Sequence, residues 1–222
     1  KYLYFATESE KTIINKIHEL NAREDIHGIL VQLPLPNQDA DRVIAEIDPK
    51  KDVDGFHPDN ISKLKQSKPA LAPAVALGIL KLINEGEIKE VMEVSEVKEV
   101  KAVIVSSMLF AEPLVILLAD RGISSTVVSP DFVQLAEKTK TADILISAIG
   151  KPKFITGEMV KPRAIVIDVG TTKVGDKIVG DVDRASVEPI AGYLTPVPGG
   201  VGPMTVAMLL ENVLRAYELQ KK

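Results

Sequence analysis

Short runs rich in Val and Ile alternate along the chain with stretches of helical period. A strand buried on both faces reads as an unbroken apolar run rather than an alternating one, so the pattern predicts an α/β fold around a mostly parallel sheet. The runs fall at Gly28–Leu33, Ala102–Val105, Ser125–Val128, Ile144–Ala148 and Ala164–Val169. Helical period covers Ser9–Leu20, Asp39–Ile47, Ala74–Asn84, Ala111–Asp120, Asp131–Lys138, Gly157–Val160 and Thr205–Leu219. In the last of these Val206, Leu209, Leu210, Val213 and Leu214 share one face, with Pro203 marking the start. That face needs a partner surface. Between Glu85 and Lys101 valines alternate with Glu and Lys, which predicts a half-exposed strand or hairpin and a domain boundary. The division expected from it is 1–84 plus 203–222 as one domain and 85–202 as the other.

Composition excludes several kinds of chemistry. The chain has 222 residues, 45% of them hydrophobic, enough for one or two domains with a real core. With 27 Lys and Arg against 31 Asp and Glu, the net charge is −4, and no basic block suggests nucleic acid or an anionic membrane as a partner. The absence of Cys removes disulfides, thiolate nucleophiles and Cys-ligated metals. His18, His27 and His57 are too scattered to form a metal site, so no metal is expected. No basic-then-apolar leader and no membrane-length apolar run is evident, and a cytoplasmic protein is the expectation.

Three clusters carry more than folding requires. Ile29–Pro36 is an apolar run that ends in Gln32 and two prolines, and the carboxyl end of a strand is where α/β proteins place ligands. Asp48–Pro58 sets Asp52 and Asp54 two residues apart in a loop stiffened by Pro at both ends and loosened at Gly55. Such carboxylates could hold an amide-rich or cationic heterocycle by hydrogen bonds, although Asx turns would explain them as well. Thr195–Thr205 is dense in Pro and Gly and runs into the last helix, a composition that lets a ligand approach main-chain N–H groups closely. His57 reads as a surface or packing residue rather than a general base.

Taken in order, GILVQLPLP, the KDVDGFHP loop and TPVPGGVGPMT resemble the bifunctional methylenetetrahydrofolate dehydrogenase/methenyltetrahydrofolate cyclohydrolase family. TADILISAIGKPKFI, KPRAIVIDVGTTKV and KIVGDVD are similar to strands of that family's nucleotide domain, so the resemblance runs from about Ala6 to Tyr217. It implies two lobes: a folate-binding α/β domain, here truncated at its N-terminus, and a Rossmann-type parallel-sheet domain, with the active site in the cleft between them. It implies oxidation of methylenetetrahydrofolate by NADP or NAD, then hydrolysis of the methenyl product to formyltetrahydrofolate, by a homodimer. Gln32 and Asp54 are the catalytic candidates, Gln32 orienting a lysine and the substrate, Asp54 anchoring the pterin. Val31, Gln32, Leu33, Asp54, Pro198, Gly199, Gly200, Val201 and Gly202 are the substrate-binding candidates. Val105, Ser106, Ser107 and Thr171 are those for the cofactor.

The chain departs from the family at four places. The family's lysine sits in a Tyr-x-x-x-Lys helix, and that pattern does not occur ahead of Gln32 in these residues, which begin at Lys1 rather than Met. A fragment, or a folate-binding relative without turnover, is therefore the alternative expectation, with Lys50, Lys51 and Lys63 as speculative substitutes for the lysine. Where the family presents Gly-x-Ser-x-x-Val-Gly-x-Pro, this chain has Val105 and Ala111 for the glycines and Glu112 near the phosphate path, so a weakened hold on the dinucleotide is expected. Leu71–Ala76 keeps Pro73 of the family's Pro-Cys-Thr-Pro and puts Val75 where a hydroxyl stood. Gly170-Thr171-Thr172 replaces Gly-Ile-Asn.

Overall fold

The structure is a computed structural model and describes residues 8–86 and 99–221. It divides into two compact units, Lys1–Ala74 with Ala207–Lys222 and Val75–Val206. The helix from Ala74 therefore falls with the second unit, not with the first as the composition shift suggested. Most of the Glu85–Lys101 segment lies outside the described residues.

In the first unit, Ser9 caps α1 (Glu10–Asn21) by accepting a hydrogen bond from Thr12 N. Ile13 and Ile17, one turn apart, are buried against Ile29, Val43 and Ile47, which joins α1 to α2 (Ala40–Ala45). Asp39 caps α2 in the same way. The C-terminal end of α1 is met by Lys51, whose buried ammonium donates to the carbonyls of Leu20, Asn21 and Arg23. A lysine so occupied has no donor left for a reacting group, which removes it as a stand-in for a catalytic amine. Ile29 forms a single parallel bridge with Asp52, where Ile29 N donates to Lys51 O and Val53 N to Ile29 O. The strand expected over Gly28–Leu33 is thus reduced to one bridge. Leu30 and Leu33 are exposed, so little burial rewards extending it.

The run Pro58–Lys65 forms α3, which the apolar period did not reveal because its hydrophobic content is low. His57 caps it: Nδ1 accepts from Asp59 N at 3.0 Å, and Nε2 donates to Ala45 O at 3.1 Å. The long C-terminal helix α8 (Val201–Gln220) closes this unit with Ala216 against Val53 and Leu71. Its buried Asn212 donates from Nδ2 to both Val53 O and Ala72 O at 2.9 Å.

The second unit begins with α4 (Ala74–Glu85) and contains a five-stranded sheet in the order β2-β1-β3-β4-β7. The strands are β1 (Lys101–Ser106), β2 (Ser124–Val128), β3 (Ile144–Ala148), β4 (Ile165–Asp168) and β7 (Tyr193–Leu194), all parallel. Helices α5 (Met108–Ala119), α6 (Leu135–Thr139) and α7 (Arg184–Val187) and the 3-10 turn Gly157–Met159 connect them. Strands β5 (Thr172–Val174) and β6 (Lys177–Val179) form a separate antiparallel hairpin. One face of the sheet buries Val103, Val105, Leu145 and Val166 against Leu135, Val160 and Val187. Helix α5 starts three residues before its expected start because Ser107 caps it, and α8 starts four before.

Asn212 ties α8 to both flanks of the Asp54 loop, so Asn212→Ala leaves two buried carbonyls without donors. It should lower stability by about 2–4 kcal/mol, read as a shift of the urea midpoint, and an unchanged midpoint would remove the assigned role.

Candidate functional site

The most organised constellation in the first unit is built around Asp52. Its buried carboxylate accepts from Gly55 N at 3.1 Å, His57 N at 2.7 Å and Asn60 Nδ2 at 3.3 Å. Three donors on one carboxylate bend the chain into a tight loop, with Asp54 between the anchor and the turn. At the turn Gly55 has φ +85°, and a Cβ there would lie 2.4 Å from the Ala72 carbonyl, so only glycine fits. The carbonyl of Asp54 accepts from Ala74 N at 3.0 Å.

The Asp54 carboxylate is largely buried, and among the described residues no hydrogen-bond donor or ion-pair partner meets it. Burial pushes its pKa up to about 6, and the neighbouring Asp52 charge adds to the rise. A desolvated carboxylate of this kind is poised to accept paired N–H donors from a ligand. Gln32 follows the bridge residue Ile29 by three positions, as Asp54 follows Asp52 by two, so both stand at the carboxyl end of the two parallel segments. Its side chain is exposed and donates only to Leu33 O, at 3.1 Å. Val31 is partly buried and Leu33 exposed.

In the second unit a pair of buried carboxylates gathers the loops at the carboxyl ends of β3 and β4. Asp168 accepts from Gly170 N, Asp181 N and Val182 N at 2.9–3.0 Å, while its own N–H donates to Thr195 Oγ1 at 2.8 Å. Burial raises its pKa, opposed by those main-chain donors. Asp181 accepts from Ser147 Oγ and Ile149 N, and its other oxygen is buried without a partner. The glycines at this point are obligatory: a Cβ on Gly170 would lie 2.2 Å from Asp181 Oδ1, and one on Gly180 would lie 1.9 Å from Asp168 Oδ2. Two predicted site segments are thereby brought to one place, the Thr171 turn and the Thr195–Gly202 loop. Within that loop Gly199 has φ +111° and Gly200 is buried against Pro196 O, while Pro198 and Gly202 are exposed and Val201 buried.

At the carboxyl end of β1, strand β2 lies on one side and β3 on the other, the switch point where open α/β sheets bind nucleotides. Helix α5 begins there. Its first N–H groups have no partner in the helix, and the Ser107 hydroxyl meets only that of Phe110. The Val105 side chain packs into the core behind the sheet and Ala111 is fully buried, so neither β-carbon stands in the approach to that helix end. Glu112 is partly buried and has a partner within the fold. Ser106 is buried, with its hydroxyl donated to Ser107 O, and Thr171 is exposed. The main-chain N–H groups at the start of α5 that have no helical partner suit a phosphate, the group a dinucleotide would bring. Among the described residues no metal-binding cluster occurs, and no helix is long and apolar enough to cross a membrane.

Sequence reasoning singled out Asp54 but missed Asp52 as its organiser, along with Asn60, Asn212 and Asp181. These act on main-chain groups distant in the sequence, and only the family-like GDVD run hinted at Asp181.

Two family models match: the catalytic domain of tetrahydrofolate dehydrogenase/cyclohydrolase over residues 2–54, and its NAD(P)-binding domain over residues 73–221. The Bifunctional protein FolD of Dechloromonas aromatica is 46% identical over 98% of this chain and 75% of its own. That of Nitratiruptor is also 46% identical, over 96% and 74%. Among solved structures, the FolD methylenetetrahydrofolate dehydrogenase/cyclohydrolase of Campylobacter jejuni superposes with a TM-score of 0.85 at 36% identity, covering 96% of this chain and 75% of its own. The Trypanosoma brucei enzyme, complexed with NADP cofactor and inhibitor, gives 0.86 at 34% identity, covering 98% and 75%.

Because folding raises the Asp54 pKa from 3.8 to about 6, the folded state binds that proton more tightly than the unfolded chain. Stability therefore falls as pH rises through this window, and the cost persists above it. Asp54→Asn should be more stable than the parent by about 1–3 kcal/mol at pH 8 and equal to it near about pH 3. Denaturation at the two pH values checks this, and a difference independent of pH would contradict it. Gly55→Ala should cost at least about 2 kcal/mol, since it combines a positive φ with a backbone clash; thermal unfolding reads the loss.

Proposed function

The chain belongs to the tetrahydrofolate dehydrogenase/cyclohydrolase family of NAD(P)-dependent enzymes, and we propose that Asp54 is its pterin anchor, with the Gln32 amide beside it. The reaction is the interconversion of methylenetetrahydrofolate, methenyltetrahydrofolate and formyltetrahydrofolate. The observation that carries the assignment is the unpartnered, desolvated Asp54 carboxylate held between the Asp52 anchor and the Gly55 turn. A pterin presents an amide N–H and an amino group side by side, the donor pair such a carboxylate accepts. Its ionised form makes those bonds, so binding should favour pH above 6.

The Pro198–Gly202 loop supplies main-chain and proline surface for the folate, and Val31 and Leu33 supply apolar contact beside Gln32. The start of α5 at Ser106 and Ser107, the main chain at Val105 and the Thr171 turn hold the dinucleotide. A nicotinamide held there would supply the acceptor for the hydride of the methylene carbon, and addition of water to the methenyl carbon with loss of a proton would complete the hydrolysis. No Tyr-x-x-x-Lys pattern occurs ahead of Gln32 in these residues, and Lys51 is spent on the end of α1. Self-association as a homodimer, through edge strand β2 or β7 of the parallel sheet, and a cytoplasmic location complete the reading.

Asp54→Ala should weaken tetrahydrofolate binding by at least about tenfold while leaving dinucleotide affinity within about twofold, because only the former loses a charge-assisted bond. Titration calorimetry with each ligand decides it, and equal loss for both, or for neither, would overturn the anchor assignment.

A further inference from the structure

Resting on the dehydrogenase reading, we propose that Asp131 is a specificity-determining residue that selects NAD over NADP. The sheet order β2-β1-β3 puts β1 between the strands that precede Asp131 and Lys151. Val128, the last residue of β2, pairs with Val105, and Ser129–Phe132 turns immediately beyond it, with Phe132 N donating to Ser129 O and Asp131 N to Ser129 Oγ. Lys151 follows β3 by three residues and places its ammonium 3.4 Å from Asp131 Oδ1 and 5.3 Å from the centre of the Phe154 ring. The pair therefore reaches across the carboxyl end of β1, directly over the switch point. In this architecture the end of the second strand is where the adenine-side ribose lies, and a carboxylate there accepts from its 2′-hydroxyl.

Charge decides between the two cofactors. A 2′-phosphate brings about −1.5 to −2 to a place where Asp131 already matches the single positive charge of Lys151. Arginine, the usual partner of that phosphate, is elsewhere in this unit. Arg121 donates to Leu117 O at the far end of α5, Arg163 precedes β4, and Arg184 pairs with Glu188. At that pair the phosphate would meet a carboxylate and the lysine already paired with it. The free ribose hydroxyl meets an acceptor held in place by Lys151.

The test is titration calorimetry of the full chain with NAD+ and NADP+, without folate, in the parent, Asp131→Asn and Asp131→Arg. Asp131 is exposed, so neither substitution should disturb folding. The parent should bind NAD+ at least about tenfold tighter than NADP+. Asp131→Asn should narrow that ratio, Asp131→Arg should reverse it, and added salt should narrow it in the parent by screening the repulsion. NADP+ bound as tightly as NAD+, or a ratio unmoved by Asp131→Arg, would overturn the proposal and leave the dehydrogenase reading intact. Failure of the parent to bind either dinucleotide would overturn both.

Discussion

The carboxylate of Asp52 is the contact on which the first unit's site depends. It is buried, and it is tolerated there because three donors converge on it from the loop it shapes. The same carboxylate holds Asp54 in place and, through its charge, helps keep Asp54 from ionising early. One group therefore sets both the position and the proton affinity of the residue that would meet the ligand. Asn212 does the complementary work from α8, fixing Val53 and Ala72 on either side of the loop. The arrangement costs stability: a partly dehydrated carboxylate is left without a hydrogen-bond partner among the described residues.

The second unit solves a similar problem with Asp168 and Asp181. Neither faces an opposing charge among its hydrogen-bond partners: the Asp168 carboxylate is met by main-chain N–H groups alone, and that of Asp181 by the Ser147 hydroxyl and Ile149 N. Gly170 and Gly180 let those loops close on the carboxylates. The turn carrying Thr171 and the loop carrying Pro198–Gly202 are consequently fixed to the end of one strand. The unpaired oxygen of Asp181 marks the point where this packing is least satisfied.

How far the sequence spoke for itself varied with the kind of interaction. The parallel strands were legible because burial on both faces leaves an unbroken apolar run, and Ile144–Ala148 was placed to the residue. Helix starts were misplaced where a cap or a glycine turn, not periodicity, decides them, as at Ser107 and Val201. Gly28–Leu33 has a strand's composition, yet it makes one bridge, because pairing depends on neighbours that composition does not contain. In the site, Asp54 stood out by its motif, but its burial did not. Asn212 lies 159 residues from Val53, and nothing in its local sequence announces that contact. At Val105 the sequence does not reveal direction: the side chain packs into the core of the second unit.

If the buried Asp54 carboxylate receives the N–H donors of a folate, its titration must respond to that ligand. Carbon NMR of the Asp side chains, with Asp54→Asn used to identify the Asp54 signal, measures its titration directly with and without tetrahydrofolate. The expected midpoint is near 6 in the free chain and falls below that when ligand binds, because donors favour the charged form. A midpoint unmoved by ligand would mean that Asp54 does not meet the folate.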